Sequence, residues 1–258
     1  MTALEELITP HTGPVRAMKP VTDGFGVATT AVVEAELGQF FIKATPNEAG
    51  GNLDAAHREA AIGPHLGDAA PRFRFQVEDK AWFVIGTDAL DARATDFTPG
   101  SGDLPSVVEA VNRITDLGLP KVAEEWEDTR WDRFATDEEK PHLRGDAFTH
   151  ADLHGHNVLV DLTGRSWVVD WEWPTRASAA VMPSSLAIQL VSAGHTPESA
   201  ESWVSQTNLW EVATEEELRV FAVVDVRMHQ WFAKLRPEEK WLGAMLDAAR
   251  AWHGHLKE

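Results

Sequence analysis

Apolar positions fall in short runs over the first third of the chain and at helical spacing over the rest. Residues 27–36 are small and β-branched and residues 39–44 are apolar, with Gly38 between them where a hairpin turn needs conformational freedom. A second strand pair is predicted over 72–77 and 81–87, across the polar turn Glu78-Asp79-Lys80. Between the pairs, residues 53–66 are alanine-rich and follow Gly50-Gly51-Asn52, which predicts a helix after a loop. Residues 88–102 lose all period and carry Pro99, Gly100, Ser101 and Gly102, as a connector does. Val107, Val108, Val111 and Ile114 then recur at helical spacing within 104–117, and Pro120 marks the stop. A charged helix is predicted over 124–134, and short β runs over 158–160 and 167–169 flank the turn Asp161-Leu162-Thr163-Gly164. Further helices are predicted over 185–192, 198–206, 215–232 and 238–255. The expected fold class is α+β: a small β-rich lobe over 1–90 with one helix, and a larger helical lobe over 91–258 with one embedded hairpin.

Composition narrows the partners. The 258 residues are 43% hydrophobic and 25% charged, ordinary for a globular protein, and the net charge is -18. Such a surface repels nucleic-acid phosphate and anionic lipid, so neither is expected as a partner. It repels a bare nucleoside triphosphate as well, so a nucleotide site would have to bring a lysine and a bound metal. Cysteine is absent, which excludes disulfides, thiolate metal sites and a cysteine nucleophile. The first twenty residues lack the basic start and apolar run of a secretory signal, and no apolar stretch approaches the ~20 residues of a bilayer span. The expectation is a cytoplasmic protein, monomeric or weakly dimeric.

The chemistry concentrates around the embedded hairpin. Its approach reads Thr149-His150-Ala151-Asp152-Leu153-His154-Gly155-His156-Asn157-Val158-Leu159-Val160, and its second strand leaves through Trp167-Val168-Val169-Asp170-Trp171-Glu172-Trp173. A loop leads into a strand, a tight turn reverses it, and the returning strand ends in a carboxylate. Asn157 and Asp170 are thereby expected at the same end of two neighbouring strands, with Asp152 on the loop beside them. Phosphoryl transfer needs those groups: a carboxylate that orients the attacking hydroxyl and accepts its proton, and oxygen ligands that hold magnesium against phosphates.

These residues resemble the His-x-Asp-x-x-x-x-Asn catalytic loop of aminoglycoside phosphotransferases and choline-kinase-like enzymes, which share the protein-kinase fold. The common form, His-Gly-Asp-Leu-His-Pro-Gly-Asn-Val-Leu, is matched at His150, Asp152, Leu153, His154, Asn157, Val158 and Leu159, while Ala151 and Gly155-His156 depart from it. Val169-Asp170-Trp171-Glu172 resembles the same family's metal-binding strand end. The resemblance implies a two-lobed kinase-like fold, ATP and Mg2+ as cofactors, Asp152 as catalytic base, His150 as the residue that fixes the loop, and Asn157 and Asp170 as metal ligands. It also implies a strand lysine held by a helix glutamate. Lys43, the one charge in Phe40-Phe41-Ile42-Lys43-Ala44, answers the first, and Glu59 within 53–66 answers the second, with Glu48, Asp54 and Glu36 as rival partners. Gly24 and Gly26 fall at the turn that would cover the phosphates, and residues 85–89, with Thr87 and Ala89, at the backbone that would meet the adenine edge. Glu172 is expected to face either metal or acceptor, and Trp173 to line the acceptor.

The expected activity is therefore transfer of the γ-phosphoryl group of ATP to a hydroxyl of a small, cationic acceptor such as an aminoglycoside-like antibiotic, which would make antibiotic resistance a role. A metabolite kinase acting on an amino alcohol or a sugar shares every motif. A non-catalytic nucleotide-binding regulator is the alternative outside enzymes.

Overall fold

The computed structural model describes residues 2–21, 27–127 and 129–257. Contacts gather the chain into two compact units, Met1–Ala92 with Val169–Trp173, and Arg93–Val168 with Pro174–Glu258. The five residues 169–173 depart from the sequence expectation, which left them in the helical lobe. They leave the hairpin and pack with the first unit.

In the first unit, α1 (Ala3–Thr12) opens on a capping box in which Thr2 and Glu5 satisfy one another's backbone donors. It is followed by β1 (Val15–Val21), β2 (Thr29–Ala35), β3 (Gly38–Pro46), α2 (Gly51–Ile62), β4 (Phe73–Glu78) and β5 (Trp82–Asp88). The strands form one antiparallel sheet in the order β1-β2-β3-β5-β4. Ala35 pairs with Gly38 across the hairpin, and Gly38 turns there at φ 130, which only glycine takes without strain. Phe40, Ile42 and Ala44 of β3 point to a core shared with Val33, Phe75, Val84 and Ile8 of α1. By the alternation of a strand, Lys43 lies on the opposite face. That face is the one α2 covers: Leu53, Ala56 and Ala60 pack on Phe83 and Ile85, and Ile85 is the direct partner of Lys43 across the ladder. The strand register thus delivers a lone lysine to the underside of a helix.

The second unit starts at Arg93, within β6 (Ala92–Ala94), and continues through α3 (Leu104–Asp116), β7 (Ala147–His150), β8 (Val158–Asp161), β9 (Ser166–Val168) and β10 (Pro174–Ala177). α4 (Val181–Ser192), α5 (Pro197–Val204), α6 (Asn208–Val212), α7 (Glu215–Leu235) and α8 (Lys240–His255) complete it. The predicted hairpin is β8–β9, with Val158 opposite Val168 in a sheet of order β6-β8-β9, while β7 and β10 form a separate antiparallel pair. Trp131, Leu143, Ala151, Ala177, Phe221 and Val224 share a buried core. The helix predicted over 124–134 does not form. In its place stand single 3-10 turns at Lys121–Ala123 and Asp132–Phe134. Glu124 and Glu127 would repel at helical spacing, the Trp126 carbonyl accepts the Arg176 N–H at 3.0 Å, and Trp131 is drawn into the core.

One ion pair ties this irregular stretch to α7. The Arg227 guanidinium donates to both oxygens of Glu139, at 2.6 and 2.9 Å, and to the Phe134 carbonyl at 3.1 Å. Those donors, with the Thr136 N–H, outweigh burial and hold the Glu139 carboxyl down at about 2. Glu139→Gln should therefore cost about 1 kcal/mol at neutral pH, at the low end for a charged hydrogen bond because Arg227 is partly exposed. A depressed folded pKa stabilises above the unfolded value of 4.5, so the gap to wild type should narrow as pH falls from there towards 2. Urea midpoints of the two proteins along that range check it. A gap that stays constant would show that the charge is not what Glu139 contributes.

Candidate functional site

The first unit holds a cluster around Lys43. The residue is buried, at 9% exposure, where an unpaired charge is costly, and its side chain is surrounded by carboxylates. Nζ donates to Glu59 Oε2 at 2.9 Å and to Asp170 Oδ1, and lies 2.7 Å from Glu172 Oε1. Burial alone would lower the lysine pKa, but the three carboxylates more than reverse this and Lys43 stays an ammonium. Burial pushes the Glu59 carboxyl up, against the pull of Lys43. Of the candidate partners, Glu59 is the one this geometry selects. Its second oxygen, Oε1, accepts the Trp171 N–H at 3.2 Å, so one carboxylate grips both the lysine and the 169–173 segment. Trp171 is buried at the same point, while Trp173 is exposed.

Asp170 has φ 63 and is the one non-glycine residue with positive φ among the described residues. Asp tolerates this region better than most side chains, and such strain concentrates where surroundings over-determine a residue. Here the surroundings are the Lys43 pairing and the Glu59 bond to the next backbone N–H.

Ligand-type oxygens of Glu59, Asp170 and Glu172 all lie within 4.8 Å of one another. The donor set is all oxygen and suits a hard ion such as Mg2+. Glu172, expected to face metal or acceptor, is placed on the Lys43 side.

The second unit holds the loop 150–157. His150 ends β7, pairs with Pro174 of β10 and is buried; its Nδ1 accepts the Asp152 N–H at a long 3.4 Å. Asn157 is buried and donates its side-chain amide to the Asp152 carbonyl at 2.9 Å, which leaves its amide oxygen as the ligand-type atom. Gly155, where the resembled motif has proline, sits against β6: a Cβ there would come within 2.9 Å of the Thr95 carbonyl, and Thr95 donates its N–H to the Gly155 carbonyl at 3.1 Å. Ala151, where the motif has glycine, is part of the core. Both departures are thus packing features of this loop.

Asp152 is partly exposed. Burial raises its pKa, but the positive field of Arg130, His154 and His150 outweighs this and holds the carboxyl below the usual range. Arg130 Nη1 donates to Asp152 Oδ1 at 2.8 Å and to the Ala151 carbonyl at 3.1 Å. Arg130 was not singled out from the sequence, because it lies in the stretch read as a solvated charged helix.

Two expectations for nucleotide contacts fare differently. The sequence placed 85–89 in the connector, but β5 runs on to Asp88. Thr87 is therefore a ladder residue, paired with Phe41 on one side and Phe73 on the other. Ala89 lies past the strand end, with its N–H towards the Gln39 carbonyl at 3.4 Å. Gly24 and Gly26 lie outside the described residues.

No family model matches the sequence, and no curated protein matches it. Solved structures do match the fold. A spectinomycin phosphotransferase, APH(9)-Ia, bound to AMP superposes with a TM-score of 0.63 at 13% identity, over 96% of this chain and 97% of its own. The choline kinase LicA from Streptococcus pneumoniae gives 0.60 at 12%, over 98% of each chain. A thermostable mutant of the aminoglycoside phosphotransferase APH(4)-Ia, in complex with ADP and hygromycin B, gives 0.58 at 11%, over 97% and 99%. The chain adopts the kinase-like fold that aminoglycoside phosphotransferases and choline kinase share.

Proposed function

We propose that this protein is a small-molecule kinase that moves the γ-phosphoryl group of ATP to a hydroxyl of a small acceptor, and that it acts in the cytoplasm. The observation that carries the reading is Lys43: a buried lysine held by Glu59 and Asp170, in the place where a phosphate-binding lysine of this fold is expected. Lys43 would hold the α- and β-phosphates, and Glu59 would orient it. Asp152 would accept the proton of the acceptor hydroxyl as its oxygen bonds to the γ-phosphorus and the bond to the β-phosphate oxygen breaks. Asp170 and Asn157 would hold Mg2+, with Glu172 beside Asp170; when bound, the ion neutralises charge on the phosphates. An aminoglycoside-like antibiotic is the acceptor class we favour, because a chain of net charge -18 suits a cation, and a metabolite amino alcohol or sugar is the alternative. No helix among the described residues is long and apolar enough to cross a membrane.

The test is acceptor-dependent ADP release from Mg-ATP over a screen of cationic antibiotics and metabolite alcohols. An acceptor should raise ADP above background, and Lys43→Met should remove that rise. Binding of Mg-ATP with no acceptor raising ADP would replace the kinase reading with that of a nucleotide-binding regulator.

A further inference from the structure

Arg130 meets the loop 150–157 from a stretch with no helix or strand to place it. It stands two residues before the 3-10 turn Asp132–Phe134, and side-chain anchors hold that turn. Asp132 accepts the Thr129 N–H with one carboxylate oxygen and the Arg144 guanidinium, at 2.5 Å, with the other. Trp131 is 2% exposed and meets the Phe221 ring of α7 in a T-shaped contact, with centroids 4.9 Å apart. Its indole N–H donates to Asp225 Oδ1 at 2.7 Å. Asp225, also on α7, is 3% exposed, and its other oxygen has the His229 ring 3.2 Å away. The Arg130 guanidinium lies 6.0 Å from the Trp131 ring centroid and donates to Asp152 Oδ1 at 2.8 Å. Buried carboxylate, indole, guanidinium and Asp152 thus form one continuous series within the second unit.

We infer that Asp225 is a positioning residue: through the Trp131 indole it fixes Arg130, and through Arg130 it orients Asp152. Its kinetic consequence rests on the kinase reading above. A helix would place residue 130 by its backbone ladder, whereas an irregular turn depends on its side-chain anchors. Trp131 is the residue next to Arg130, so a rotation of the indole moves the chain that carries the guanidinium. Packing on Phe221 does not decide where the indole N–H points. A hydrogen bond to a carboxylate does, being roughly twice as strong as one between neutral groups. It also polarises the indole, which strengthens the hold of the ring on the guanidinium beside it. A carboxylate buried this deeply is expensive, and for stability alone an apolar side chain would serve as well. What an acceptor at 225 adds is a single orientation for Trp131.

Asp225→Leu, Asp225→Asn, Trp131→Phe and Arg130→Met in the full chain test this, the first and third also combined with the last. With an acceptor that supports ADP release, Asp225→Leu and Trp131→Phe should each lower kcat about 10-fold at unchanged KM for ATP, the scale of a small misplacement of a reacting group. Asparagine keeps an oxygen for the indole N–H, so Asp225→Asn should stay within about threefold of wild type. In the Arg130→Met background neither Asp225→Leu nor Trp131→Phe should lower kcat further, although each should still lower the unfolding midpoint. Lost packing alone would reduce activity in both backgrounds. A readout without turnover is labelling by phenylglyoxal followed by mass spectrometry. Arg130 should react several-fold faster in Trp131→Phe, while Arg227, paired with Glu139 from the same helix as Asp225, keeps its rate. Unchanged kcat in Trp131→Phe, losses that multiply in the double variants, or an unchanged Arg130 labelling rate overturns the inference and leaves the kinase reading standing. A wild type that releases no ADP with any acceptor overturns the kinase reading, and labelling then decides alone whether Trp131 and Asp225 hold the guanidinium. Should Asp225→Leu not fold, Trp131→Phe, which keeps an aromatic ring in the core, decides in its place.

Discussion

Asp170→Ala should reduce acceptor-dependent turnover to background. Two contributions are lost together: the carboxylate that would hold Mg2+, and one of the three anions around Lys43. Metal-ion stabilisation of transferring phosphoryl charge is worth several kcal/mol, and at 1.36 kcal/mol per decade that is ~10³-fold or more. A loss of stability has to be kept apart from a loss of chemistry, because alanine at φ 63 carries strain of ~1–2 kcal/mol. Asp170→Asn resolves this. Asparagine tolerates the left-handed region as aspartate does, so its thermal unfolding should stay near wild type, yet its turnover should still collapse. Asp170→Gly gives the opposite control, since it removes the carboxylate and the strain together. Near-normal turnover in the alanine or asparagine variant would sink the assignment of Asp170, and with it the proposed mechanism.

What could be read in the sequence divides along physical lines. Lys43 was legible because a single charge in an apolar strand has to be paired, and Glu59 because the helix predicted between the two strand pairs offers it at mid-length. The ladder register explains the match: Lys43 opposite Ile85 points at the α2 face of the sheet. The β8–β9 hairpin was legible from two short β runs around a polar turn. By contrast α1 and β1 were missed, since Pro10 and Pro14 break the periodic signal, although the Thr2 to Glu5 capping box was there to be found. β7 and β10, four residues each, are too short for any period to show. The positive φ of Asp170 leaves no trace beyond the residue type. Arg130 was hidden inside a misassigned helix. Asp225 and His229 look like any i, i+4 surface pair on a long amphipathic helix, and only the packing of Trp131 against α7 buries them. Local chemistry was therefore readable wherever a charge violated its surroundings in sequence. It was unreadable wherever tertiary packing created the violation.

Asp152→Asn should lower kcat by roughly 10²- to 10⁴-fold, the usual contribution of a positioned general base. The surroundings of Asp152 place the loss nearer ~10². Its carboxyl is held below the ordinary range by the field of Arg130, His154 and His150, so it is a weak base. A weak base fits phosphoryl transfer, where bonding to the leaving group loosens early and the carboxylate chiefly orients the hydroxyl, taking the proton late. Asparagine keeps an oxygen for the Arg130 N–H and the shape of the loop, so the variant isolates the charge. The Arg130–Asp152 pair is partly exposed on both sides, which limits its stability cost to at most about 1 kcal/mol. The expected pattern is thus a large fall in kcat with an almost unchanged unfolding midpoint and unchanged ATP affinity. Arg130→Met serves as the companion, because it removes the partner and keeps Asp152. If Asp152 acts by orienting the hydroxyl, loss of the arginine that holds it should lower kcat less than loss of the carboxylate itself. A fall in Arg130→Met that equals or exceeds that in Asp152→Asn would shift the chemical role from the carboxylate to the guanidinium.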